Sequence, residues 1–462
     1  MSLTALTAEQ LTQDKTRWSI PPLMPNPELF SALARSFLAG EQTLEQVVAR
    51  ASHTLGKAWP WLPDVAARYL AQWSGRTRPT RDAVHNFLFD DATLNEHILK
   101  LNLADWFTGT QRMQPAPAAK NWDLPPIETP GDLAASLSLE ITHLEWFADV
   151  KALGYKIKDK PRLRNYRYRA FQKKTGGLRL VESPKPRLKQ IQRQLLSGIL
   201  NRIPIHDAVH GFRTGRSIKT FAASHAGKHI VLRLDLRDFF PSIAGVRIQT
   251  FFRTAGYPEP VADLLGGLCT NATPRDIWPR FSRLIDAHTL TEAATQFARP
   301  HLPQGAPTSP ALANLCAYRL DARLAGLATA ANAVYTRYAD DLAFSGDASF
   351  AAHIHNFAAH VAAIAKEEGF AVQHHKTRIM RQGVAQHLAG LTVNQHPNIP
   401  RADFDTLKAT LTNCIRHGHR SQNHYGHLDF RAQLQGRVAF VAMVNPAKGQ
   451  RLQKLFDQVR WD

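Results

Sequence analysis

The chain has 462 residues, 44% of them hydrophobic, enough for a large core and, by length, roughly two to four domains or subdomains. With 57 Lys and Arg against 38 Asp and Glu the net charge is +19, an excess that concerns partners rather than fold, and a nucleic-acid phosphate backbone is the commonest such partner. Three scattered cysteines (Cys269, Cys316, Cys414) exclude a disulfide framework, no run approaches the roughly 18 apolar residues of a membrane span, and MSLTALTAEQLTQDKTRW lacks the order of a secretory signal, so a cytoplasmic protein without membrane contact is expected.

From about Pro27 to Phe107 the pattern predicts helices. In NPELFSALARSFL, Leu29, Leu33, Ser36 and Phe37 share a helical face, Asn26 stands where a cap belongs, and Pro27 takes the first helical position. EQTLEQVVARASHTLG stops at Gly56, and LPDVAARYLAQWSG turns Val65, Tyr69, Leu70 and Trp73 inward. Trp59, Trp61, Trp73 and Trp106 are expected in the core of this small helical domain rather than on a ligand platform. QPAPAAKNWDLPPIETPG holds five prolines and reads as an extended linker. GDLAASLSLEITHLEWFADV then predicts an amphipathic helical pair, and Lys151 to Lys189 is dense in Lys and Arg. Beyond it, β-type runs (HIVLRLDL, VYTRYADDLAFSG, FAVQHHKTRIM, QHLAGLTVN) mix with helices, which indicates an α+β fold.

HIVLRLDLRDFFPSI alternates Ile230, Leu232 and Leu234 with Val231, Arg233 and Asp235, as in a half-buried strand with Asp235 at its C-terminal end. VRIQTFFRTAG predicts a helix stopping at Gly256. In LPQGAPTSPALANLCAYRLDARL the first half is a loop, Thr308 or Ser309 caps the helix that follows, and Pro310 takes its first position. VYTRYADDLAFSG reads as strand, tight turn and strand, with Asp340 and Asp341 side by side at the turn. Adjacent carboxylates repel, and a divalent cation is the usual reason to place them so. A strand-end aspartate joined to a hairpin-tip pair is how a two-cation phosphoryl-transfer site is built, and oxygen ligands favour Mg²⁺, or Mn²⁺, over zinc.

These segments in this order resemble the reverse transcriptases of bacteria, and within them the retron type, from about Gly131 onward. The motifs that carry the resemblance are FQKKTGGLRLVESPKPRLKQIQRQLL, LDLRDFF, LPQGAPTSPALANL, YADD, HHKTRIM and AGLTVN. It implies a right-hand polymerase of fingers, palm and thumb. Lys173 or Lys174 and Arg179 would contact the triphosphate of an incoming deoxynucleotide. Asp235, the Leu236 carbonyl, Asp340 and Asp341 would hold two Mg²⁺ ions. Phe240 would be the aromatic gate against a ribose 2′-hydroxyl, Gln304 and Gly305 would lie in the nucleotide pocket, Lys376 near the departing pyrophosphate, and AGLTVN at the primer grip. In HGFRTGRSIKTFAASH, Phe221 replaces the asparagine of a retron-specific segment whose Ala222 and His225 remain, and Leu388-Ala389-Gly390 stands for its Val-Thr-Gly element.

The expected organisation is an N-terminal helical accessory domain over 1–113, a Pro-rich linker over 114–130, fingers and palm over 131–395 and a thumb over 396–462. The retron resemblance implies a structured noncoding RNA as both template and primer, a guanosine 2′-hydroxyl as priming group, an RNA-linked single-stranded DNA as product, and anti-phage defence with an effector protein. The rival readings are another bacterial reverse transcriptase, such as a group II intron or defence-associated enzyme, and a non-catalytic RNA-binding scaffold on the same fold. Asp238 is read as a structural carboxylate capping the following turn and left out of the metal set. In CIRHGHRSQNHYGHL the spacing of Cys414, His417, His419, His424 and His427 does not match a zinc site, and surface or RNA-facing histidines are expected.

Overall fold

Helical spacing of apolar residues and side-chain caps produce the N-terminal helices Pro27–Leu38, Leu44–Thr54, Leu62–Trp73 and Arg81–Asp90. The structure is a computed structural model and describes residues 27–156, 161–173 and 177–461. Asn26, Lys174, Gly176 and the N-terminal segment tested for a secretory signal lie outside the described residues. Thr43 and Thr80 cap the second and fourth helices by accepting from Gln46 N and Ala83 N, and Gly56 follows the second helix with φ +74°. Leu29, Leu33, Phe37, Val47, Val65 and Leu88 form the core between them. Trp61 joins that core, Trp59 and Trp73 pack against it, but Trp106 is 40% exposed, so the expectation of four core tryptophans holds for three.

Two units are distinguished by their internal packing. One gathers the described residues up to Lys120 with Pro126–Asp132 and Arg253–Val261; the other gathers Asn121–Pro125, Leu133–Phe252 and the residues from Ala262 onward. The proline-rich segment is tied down where it starts: Gln114 N donates to Gly256 O at 2.9 Å and Ala116 N to Thr254 O at 3.0 Å.

The second unit carries the sheets. Strands β1 (Tyr166–Gln172) and β2 (Leu178–Pro184) form an antiparallel pair. β3 (Ile230–Asp235), β4 (Val334–Tyr338), β5 (Asp341–Gly346) and β6 (Arg378–Arg381) form an antiparallel sheet in the order β4-β5-β3-β6. Central placement buries β3 on both faces: Val231 is as inaccessible as Leu232, so the expected half-buried strand is corrected. Alternation identifies two faces but cannot tell whether both are covered. Phe344 stacks on Tyr335 at 4.8 Å and meets Phe357 of the helix Ile354–Glu367 at 5.1 Å.

Behind β4 and β5 lies the helix Ile218–Ala223, opened by a capping box at Ser217. Phe221 is fully buried there, 5.8 Å from the Tyr338 ring, so the aromatic in place of asparagine fills a core site. His225, also buried, bridges the two strands by hydrogen bonds to Ser345 Oγ and Thr336 Oγ1, both 2.7 Å. Burial pushes its imidazole down to about 3, so it bridges in neutral form. Leu388-Ala389-Gly390 belongs to a tight hairpin between β7 (His387–Leu388) and β8 (Leu391–Thr392), with positive φ at Ala389 and Gly390. Helices Arg401–His417, Phe430–Val444 and Pro446–Phe456 close the chain, and Cys414 faces their common core with Leu407 and Leu411.

Candidate active site

The end of β3 and the β4–β5 turn meet because of strand register. Asp235 pairs with Asp341 across β3 and β5, and Tyr338 pairs with Asp341 across β4 and β5, leaving Ala339 and Asp340 as the turn. The Leu236 amide donates to the Asp340 carbonyl at 2.8 Å, which carries the chain of motif LDLRDFF past the turn. Ala339 holds φ +55°, and Gly211 packs so closely on it that a Cβ there would stand 2.6 Å from Ala339 N. Asp235 is thereby brought beside Asp340 and Asp341, which lie far from it in the chain.

Their charges are unequally met. Lys376 Nζ donates to both oxygens of Asp235 at 2.9 and 3.0 Å. Arg233, two residues before Asp235 on the same strand face, places Nε and Nη2 at 2.9 and 2.6 Å from Asp341 Oδ1. Burial, and then the charges of Asp235 and Asp341, push the Asp340 carboxyl up to about 6. Burial also raises Asp341, against the pull of Arg233. Among the described residues no three His, Cys, Asp or Glu side chains stand as a ready-made ion cage. What the sequence order brings together is a set of hard oxygen donors with mutual repulsion and a raised proton affinity, which suits a divalent cation such as Mg²⁺.

A groove of about 1900 Å³ runs along this edge, lined by Lys173, Arg179, Asp235, Leu236, Phe240, Gln304, Asp340 and Lys376. Asp341 and Gly305 stand outside that lining. Gln304 and Gly305 sit on the strand opposite: Glu182 N donates to Gln304 O at 2.9 Å, and a Cβ on Gly305 (φ +135°) would approach Glu182 O to 2.9 Å. Gly305→Ala is therefore expected to displace this bend at a cost of about 1–3 kcal/mol, which denaturant midpoints would read directly. Phe240 is half-buried between Phe239 and Phe212, whose ring centroids lie 5.7 and 6.0 Å away.

Two readings change. Asp238 is not merely a local cap: its Oδ1 receives Lys173 Nζ at 3.0 Å, and although burial would raise its carboxyl, Lys173 and Arg237 hold it below the usual range. The helix after the LPQG loop is Ser309–Cys316, with Pro310 as its second residue; Thr308 sits at the cap without a capping side-chain bond, and Ser309 Oγ donates to Pro303 O at 2.7 Å. The structure adds Arg233 to the site, and its place two residues before Asp235 on an alternating strand is the sequence signal for it. Arg337 and Asp321, fully buried beneath the turn, were also missed; their one signal was a charged residue inside an apolar strand.

Residues 171–396 match the family model described as reverse transcriptase (RNA-dependent DNA polymerase). The chain is 38% identical over 335 residues to the retron Mx65 reverse transcriptase of Myxococcus xanthus, covering 72% of this chain and 72% of that one. It is 34% identical over 369 residues to the retron Mx162 reverse transcriptase of the same organism, covering 77% of this chain and 71% of the relative. With the retron Ec86 reverse transcriptase of Escherichia coli it shares 29% over 253 residues, 54% of this chain and 70% of the relative. A foamy viral protease-reverse transcriptase solved with ds DNA matches 64% of this chain and 39% of its own at 15% identity and a TM-score of 0.36, a distant likeness on which no assignment rests. Extent and identity together place the chain in the bacterial retron-type reverse transcriptases, with an α+β polymerase fold and RNA-directed DNA polymerase activity.

Proposed function

We propose that this polymerase copies a structured noncoding RNA from a hydroxyl of that same RNA, leaving an RNA-linked single-stranded DNA, and that Asp235, Asp340 and Asp341 with the Leu236 carbonyl hold two Mg²⁺ ions for the reaction. The observation that carries the reading is the register pairing of Asp235 with Asp341, with Asp340 at the adjoining turn. Bound there, two divalent cations would activate the attacking hydroxyl and neutralise the leaving pyrophosphate. The chain's own residues do the rest. Lys173 and Arg179 reach the groove from β1 and β2 as fixed cations for the triphosphate, and Lys173 must exchange Asp238 for phosphate to do so. Lys376 keeps Asp235 charge-balanced and stands ready for pyrophosphate. Gln304 and Gly305 shape the nucleotide pocket beside β2.

Phe240 closes the pocket to a ribose 2′-hydroxyl by bulk alone. Phe240→Ala is expected to raise ribonucleotide incorporation, relative to deoxynucleotide, on the order of a hundredfold, measured by competing the two in primer extension. On this reading an N-terminal accessory domain over 1–113 and a Pro-rich linker over 114–130 precede fingers and palm over 131–395 and a thumb over 396–462, and the thumb helices Arg401–His417, Phe430–Val444 and Pro446–Phe456 would set their Lys and Arg side chains against phosphates. The names of the relatives support the retron RNA as partner. A cytoplasmic setting agrees with three free cysteines, and the proposal includes anti-phage defence together with an effector protein. Sequencing nucleic acid purified with the protein tests the reading. A recurrent branched RNA–DNA species is expected; intron RNA, or RNA without attached DNA, would overturn it.

A further inference from the structure

A second ionic pair is buried behind the Gln304–Gly305 bend. The side chains of Glu182, in β2, and His301 are 0% and 2% exposed. His301 Nε2 lies 2.8 Å from Glu182 Oε2, and Nδ1 lies 2.7 Å from the Arg299 carbonyl. The other carboxylate oxygen accepts from Asn271 Nδ2 at 2.8 Å and Thr273 Oγ1 at 2.7 Å. A carbonyl cannot donate, so Nδ1 carries hydrogen, and the attraction of the Glu182 carboxylate, which raises the imidazole, puts a hydrogen on Nε2 as well. Both ring nitrogens therefore carry hydrogen, and the ring is an imidazolium against a carboxylate.

The pair joins several of the segments that frame the bend. Backbone bonds link His301 with Asn271 in both directions, at 3.1 and 3.0 Å, and Leu302 N with Ile243 O at 3.1 Å. Glu182 itself holds Gln304 through its amide and abuts Gly305 through its carbonyl. We infer that the Glu182–His301 ion pair is a positioning device that sets the Gln304–Gly305 bend for the incoming deoxynucleotide and ties nucleotide affinity to the charge on His301. This rests on the nucleotide lying at that bend, as proposed above.

The groups facing His301 are few. Glu182 comes from β2, the Arg299 carbonyl from its own loop, and the Phe297 ring meets it edge-on at 5.0 Å. Tyr168, from β1, accepts from Asn271 Nδ2 at 3.1 Å, and burial keeps its hydroxyl neutral. Next out, Arg164 and Asp276 are paired with each other. Burial opposes the charge on His301, but Glu182 and the two hydrogen bonds outweigh it and raise the imidazole above its ordinary value. A raised histidine contributes fully below its unfolded value and loses its contribution as pH rises through the folded one. The clamp therefore loosens as pH rises through that raised value.

The test uses the full chain with an RNA template and DNA primer. His301→Gln and Glu182→Gln should each raise the KM for deoxynucleotide about tenfold with kcat changed less than about threefold, and the double variant should be no worse than either. Wild-type KM should climb as pH rises through the raised His301 value, and the variants should lose that climb. In ¹⁵N-histidine-labelled wild type, both ring nitrogens of His301 should be protonated at neutral pH. A neutral His301 tautomer at neutral pH, or folded variants with wild-type KM and pH dependence, would overturn the inference. Should a variant not fold, the wild-type KM profile and the nitrogen shifts decide alone. Absence of incorporation by the wild type would sink the nucleotide-site reading instead, with the nitrogen shifts still judging the ion pair.

Discussion

Asp340→Asn should reduce deoxynucleotide incorporation by at least about a thousandfold and, in the same molecule, stabilise the metal-free protein on the order of 2 kcal/mol at neutral pH. The two effects have one origin. Burial and the neighbouring Asp235 and Asp341 raise the Asp340 carboxyl from 3.8 to about 6. With a folded value above the unfolded one, the group's contribution is fully present below about 3.8 and lost as pH rises through about 6. At neutral pH the folded protein therefore carries an ionised carboxylate under strain, and the isosteric amide relieves it. Denaturant unfolding in chelator should show the variant more stable at pH near 7 and the advantage shrinking toward pH 4. A bound dication should reverse the ranking, because an anionic aspartate oxygen holds it far more strongly than a neutral amide oxygen does.

Arg337→Met should destabilise the protein by about 3–5 kcal/mol, the largest loss expected of any single substitution near the site. Arg337 and Asp321 are both 0% exposed, and the guanidinium's Nε and Nη2 lie 2.7 Å from Asp321 Oδ1 and Oδ2. Nη1 reaches Asn314 Oδ1 at 3.1 Å and the carbonyl of Ala339, the strained turn residue before Asp340, at 3.0 Å. Tyr335 adds its hydroxyl to Asp321 at 2.7 Å, and Asn314 Nδ2 donates to Gly211 O at 2.9 Å. Removing the cation strands a buried carboxylate and frees the turn together. Arg337→Lys keeps charge but not the planar fork, and should recover only part of the loss. Denaturant midpoints read the stability, and the Mg²⁺ dependence of kcat reads the turn; pairing Arg337→Met with Asp321→Leu should restore stability more than activity.

Local patterns were readable in the sequence where chemistry and periodicity act within a few residues. Alternation through HIVLRLDL placed Asp235 at a strand end, and the paired aspartates between apolar runs marked the β4–β5 turn. The loop that holds Gln304 and Gly305 was readable, though not that a side chain at Gly305 would crowd Glu182 O. Features that depend on contacts across the fold were not. Lys376 meets Asp235 across 141 residues, His301 meets Glu182 across 119, and Lys173 meets Asp238 across 65, and no spacing rule links such partners. The two-sided burial of β3 and the exposure of Trp106 likewise follow from neighbours contributed elsewhere in the chain.

The central claim is that Asp235, Asp340 and Asp341 act together on bound dications. Counting Mn²⁺ by electron paramagnetic resonance, in a complex with RNA template, chain-terminated primer and deoxynucleotide, tests it most directly. About two tightly bound ions per chain are expected for the wild type, with occupancy falling in Asp235→Asn, Asp340→Asn and Asp341→Asn alike. Full occupancy in Asp235→Asn, together with unchanged incorporation on an ordinary primer, would contradict the account.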